Sequence, residues 1–96
     1  VVMNMKNIET IANAGNTEVP CFLATKSLGF RFSKLHEKTD QELWVAENQE
    51  IRFVASNQLE LLGLIYMREL RGKNWKASDE EIDNYLSKYY PEALEE

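Results

Sequence analysis

Asn57-Gln58-Leu59-Glu60-Leu61-Leu62-Gly63-Leu64-Ile65-Tyr66-Met67-Arg68-Glu69-Leu70-Arg71-Gly72 reads as one helix that is apolar around nearly its whole circumference. Asn57 followed by Glu60 three residues on is an N-cap signal, and Gly72 can take the left-handed conformation that ends a helix. At about 100° per residue, Leu59, Leu62, Gly63, Tyr66 and Leu70 cluster on one side, with Leu61, Leu64 and Ile65 on the other. Such a rod is expected to lie buried, its first side on a sheet and its second beneath another helix. Gly63 would then permit close approach to the sheet, at a propensity cost of about 1 kcal/mol relative to alanine.

Around that rod the chain is short. Its 96 residues are expected to form one domain around one core, with residues 92–96 as a frayed acidic tail. An apolar fraction of 44% and a charged fraction of 28% suit an ordinary globular core. Cys21 is the single cysteine, so an internal disulfide is excluded and a reducing, cytoplasmic setting is the expectation. No apolar run is long enough to span a bilayer, and no cofactor is expected.

The second C-terminal helix is marked as clearly as the first. Ser78-Asp79-Glu80-Glu81 has the form of a capping box, and Ile82, Tyr85, Leu86 and Tyr89 recur at i, i+3, i+4 and i+7, a spacing expected to face the core. Pro91 stops the helix. Upstream, Met5, Ile8, Ile11 and Ala12 suggest a short N-terminal helix over residues 5–14, closed by Gly15-Asn16. Between them the pattern turns to strands. Residues 19–24 read as an edge strand or a strand entry because Pro20 has no amide donor, and Leu28, Phe30 and Phe32 alternate on one strand face. Leu43-Trp44-Val45-Ala46 and Ile51-Arg52-Phe53-Val54-Ala55 flank Glu47-Asn48-Gln49-Glu50 as a hairpin. Strands followed by helices give an α+β class: a short N-terminal helix, a three- to four-stranded antiparallel sheet, and two C-terminal helices packed on one face.

Reactive groups are sparse. His36 is the only histidine; Glu37 and Asp40 are its neighbours in sequence alone, so it reads as a solvated loop side chain, with a small enzyme built around it as a rival reading. His36 and Cys21 lack the paired spacings of metal ligands, so no metal is assigned. Cys21, between Pro20 and Phe22 in the expected strand, reads as a small inert core residue. The four glycines are isolated, leaving no phosphate-binding loop. No catalytic residue is assigned.

Charge is unevenly placed. The formal total is −5; from Asp79 onward seven acids stand against Lys88 alone, whereas Arg68, Arg71, Lys73 and Lys76 surround Trp75. Those cations complement the C-terminal dipole of the first helix, or they form with Trp75 a surface for an acidic partner or a nucleobase. Trp44 faces the core or the outer surface according to strand parity. Overall acidity disfavours nucleic acid, whose affinity comes mainly from neutralised phosphates. The sequence thus points to a non-catalytic protein-binding module of inhibitor, adaptor or immunity type. Its expected contacts are Trp44, Arg68, Arg71, Lys73 and Trp75, with Glu80, Glu81 and Asp83 as an acidic surface toward a basic protein. Nucleic-acid binding through the basic cluster is the alternative, and an edge strand or Trp44 leaves a homodimer open.

Overall fold

The computed structural model describes residues 8–94. The chain divides into two compact units, one ending at Tyr66 and the other beginning at Met67. The architecture is α+β: a helix, a three-stranded antiparallel sheet, then two C-terminal helices.

In the first unit a 3-10 turn, Gly15–Thr17, leads into helix α1, Glu18–Ser27. Residues 19–24, expected as an edge strand, are therefore helical. Pro20 is the third residue of α1, where a backbone N–H would find no intrahelical acceptor, so its missing donor costs nothing there. Cys21 is buried as expected, but on a helix. The helix expected over residues 5–14 is not found: residues 8–14 have no regular structure, and Met5 to Asn7 lie outside the described residues. Gly29, at φ 93°, reverses the chain after α1 and donates to the Lys26 carbonyl at 3.0 Å.

The strands are β1, Arg31–Leu35; β2, Leu43–Glu47; and β3, Arg52–Ala55, in the order β1-β2-β3. Phe32 opposes Ala46 and Ala46 opposes Phe53, so Phe32, Trp44, Ala46 and Phe53 share one face. That face meets α1. Phe22 of α1 meets Phe32 with ring centroids 4.8 Å apart, whereas on the opposite parity Arg31, Ser33, Arg52 and Val54 are exposed and Val45 is buried. The β2–β3 hairpin is closed by Asn48, whose Oδ1 accepts from the amides of Glu50 (2.8 Å) and Ile51 (2.9 Å).

Helix α2, Gln58–Arg71, has the expected bounds. Asn57 Oδ1 accepts from the Glu60 amide at 2.9 Å, and Gly72 takes φ 80°. Glu18 adds a long-range cap: both carboxylate oxygens accept from the Gln58 amide, at 3.1 and 3.2 Å. The buried positions of α2 are Gln58, Leu61 and Ile65, while Leu59, Tyr66 and Leu70 are exposed, Leu70 at 82%. This overturns the expected sidedness and the expectation of an all-round buried rod. Gly63 is exposed and a Cβ there would meet nothing, so it makes no close approach. The core of this unit centres on Val45, Ala46 and Leu61, each with 0% exposure.

In the second unit α2 ends in its last turn and the chain passes through Gly72 to Ser78 into α3, Asp79–Tyr89. The capping box is present in full: the Glu81 amide donates to Ser78 Oγ at 3.1 Å, and the Ser78 amide donates to Glu81 Oε1 at 2.8 Å. After Tyr90 comes a 3-10 turn, Pro91–Leu94; of the tail 92–96 expected to fray, Glu95 and Glu96 lie outside the described residues. No described residue of α3 is buried, so its apolar stripe does not enter a core as the spacing suggested.

Candidate functional site

The expected contact residues separate between the units. Trp44 belongs to the sheet of the first. It is half-buried on the face that carries Phe32, its ring edge-on to Phe32 at 6.4 Å and covered by Lys34 Nζ at 4.7 Å from the centroid. Lys34 also pairs with Glu42 at 3.1 Å, and Glu42 accepts from the Lys38 amide at 2.9 Å. That backbone bond, joined by the Lys34 ammonium, holds the Glu42 carboxyl below the usual carboxylate range. Trp44 is thus fixed by these contacts and is not a free aromatic, although Val45 on the opposite parity is the residue sealed from solvent. His36 is exposed at φ 54°, with its carbonyl accepting from Thr39 Oγ1 at 2.6 Å. Among the described residues, no group of three or more histidine, cysteine or acidic side chains is placed to hold a metal ion.

Arg68, Arg71, Lys73, Trp75, Glu80, Glu81 and Asp83 all lie in the second unit. Arg71 acts as a bracket there: its Nε donates to the Trp75 carbonyl at 2.8 Å and its guanidinium stands 3.7 Å from Glu81 Oε1. The Ser78 amide, then the Ser78 hydroxyl and the Arg71 charge, hold the Glu81 carboxyl below its ordinary range. Arg71 and Glu81 therefore tie the end of α2 to the start of α3. Trp75 is 39% exposed, with Lys76 Nζ 5.8 Å from its ring centre. Arg68 is half-buried, and Lys73 and Lys76 are exposed.

The larger feature is one that the sequence pattern disguised as core. Tyr85 lies 5.5 Å from Tyr89 and 6.0 Å from Tyr90 between ring centroids, forming a tilted three-ring cluster. Tyr85 and Tyr89 are 56% and 59% exposed, Ile82 and Tyr90 are exposed beside them, and Leu94 is exposed at the end of the following turn. An i, i+3, i+4, i+7 stripe looks the same in sequence whether it enters a core or waits for a partner; the surplus of tyrosine over leucine was the signal available, since tyrosine suits a half-wet surface. Asp83 and Asp79 run along one edge of this stripe, whereas Glu80 lies on the far side of the helix.

No described helix is long and apolar enough to cross a membrane. No protein-family model, curated protein or solved structure matches the chain.

Proposed function

We propose that the chain is a non-catalytic protein-binding module, of the inhibitor, adaptor or immunity kind, and that it binds through the tyrosine stripe of α3. The observation that carries this reading is the exposure of Ile82, Tyr85, Tyr89 and Tyr90 as neighbours in one unit. Scattered exposed apolar side chains are ordinary on a soluble protein; a contiguous patch rimmed by charge marks an interaction surface. Tyrosine supplies contact area at low entropic cost and keeps a hydroxyl for the wet rim, which is why it is enriched at binding hot spots. The basic cluster supports this role less directly, because Arg71 is already committed to Trp75 and Glu81.

The test compares the chain with a Tyr85→Ala, Tyr89→Ala variant as baits in native lysate, with nuclease treatment in parallel. Since both rings are more than half exposed, the variant keeps the far-UV circular dichroism of the parent and loses less than about 1 kcal/mol of stability. A protein retained by the parent and lost by the variant, unaffected by nuclease, supports the reading. Equal capture by both, or capture abolished by nuclease, defeats it.

A further inference from the structure

We propose that the occupant of the α3 stripe is a basic amphipathic segment of a partner protein, its apolar side chains set on the tyrosine rings and its lysine or arginine groups facing Asp79 and Asp83. This rests on the protein-binding reading above and adds the chemistry of the partner.

Helical geometry defines the surface. At about 100° per residue, Tyr85, Tyr89, Ile82 and Leu86 span a stripe roughly 100° wide, and Asp79 and Asp83 follow directly along its Leu86 edge. They are four residues apart and so stand one turn above the other. Of the acids in the first turns of α3, Glu81 is engaged by Ser78 and Arg71, whereas Asp79 and Asp83 make no ion pair among the described residues. Asp79, Glu80, Asp83 and Glu92 stand against Lys88 as the charges on α3 and the turn after it that are not so engaged. Lys88 itself lies with Nζ 5.3 Å from the centre of the Tyr89 ring, an intramolecular instance of the contact that a partner's cation would make.

Charge selects among occupants. A nucleic acid or an anionic lipid surface would bring phosphates against an acidic edge. A second copy docking stripe to stripe would bring another acidic edge to the first, in a chain of formal charge −5. A basic segment answers both features, because the apolar stripe supplies affinity while the aspartates fix its orientation and speed its approach.

The experiment uses the full chain to select binders from a random displayed peptide library, with counter-selection on the Tyr85→Ala, Tyr89→Ala variant. The selected peptides are expected to carry net positive charge, with apolar residues three and four apart. Their affinity should drop by about tenfold or more in an Asp79→Lys, Asp83→Lys variant of unchanged circular dichroism, and should weaken as salt rises. Neutral or acidic selected peptides, or indifference to the charge reversal, would overturn the basic partner while leaving the protein-binding surface in place. Failure to select any peptide that distinguishes the parent from the tyrosine variant would remove the surface as well. A sedimenting mass that rises with concentration and is lost in the tyrosine variant would assign the stripe to a second copy and defeat the proposal.

Discussion

Gln58 occupies the first turn of α2 with its backbone amide held by Glu18 and its side-chain amide held by nothing: neither Nε2 nor Oε1 has a partner among the described residues, although the residue is only 2% exposed. Burying an amide without hydrogen bonds is costly, on the order of 1 to 3 kcal/mol. An apolar side chain of similar length would fill the same space without that cost. Gln58→Met is therefore expected to raise stability by about 1 kcal/mol or more, read as a higher urea midpoint with unchanged slope. A lower midpoint would mean that the Gln58 amide is satisfied after all. The neighbouring cap contributes separately, since the Glu18 contact is to the backbone amide and survives the substitution. Strain of another kind sits at His36 and Lys38, two non-glycine residues at φ 54° and 63° in the β1–β2 connection, held by the bonds to Thr39 and Glu42.

Among the elements, ends were legible and faces were not. Ser78 with Glu81, Asn57 with Glu60, and Gly72 each satisfy or terminate backbone groups within a few residues, so local sequence specifies the bounds of α2 and α3. Which side of α2 is buried depends on what packs against it, and there Gln58, Leu61 and Ile65 prevail over Leu59, Tyr66 and Leu70. In α1, residues rich in strand formers follow a helical path because Glu18 and Pro20 suit a first turn and Phe22 reaches Phe32. The tyrosine stripe was visible as a pattern, but its exposure is a tertiary fact. Arg71 and Glu81 were legible as charges, and their joint task only from distances. The α3 cap makes a pH prediction. Because the folded Glu81 carboxyl titrates below its ordinary range, its stabilising effect is fully present above that range and is lost as pH falls through the lower folded value. Glu81→Gln keeps an acceptor for the Ser78 amide and removes the titration. The stability difference between parent and variant should therefore shrink from neutral pH toward pH ~3, measured as the gap in melting temperature. A gap that stays constant or widens on acidification would show that the charge of Glu81 does not strengthen the cap.

At the scale of the whole chain, burial is concentrated at one end of α2. Val45, Ala46 and Leu61 are sealed from solvent, and β2 is bonded on both edges, by β1 and β3. From Met67 to Leu94 no residue is buried. An isolated helix of the length of α3 is marginal in water, and its capping box secures only one end of it. Opening free energies should follow that division, because exchange protection reports the least costly opening that exposes each amide. In native-state hydrogen exchange the amides of β2 and of Leu61 and Ile65 are expected to be lost slowest, through global unfolding. Those of Tyr85 to Tyr89 should exchange at least about tenfold faster, through local opening that costs roughly 1.4 kcal/mol less. Mild denaturant should then accelerate the β2 amides steeply and the α3 amides little, since a local opening exposes little new surface. Equal protection and equal denaturant dependence in α3 and β2 would mean that they open only together. The stripe of Ile82, Tyr85 and Tyr89 would then belong to one cooperative core, and the free surface on which partner docking depends would be gone.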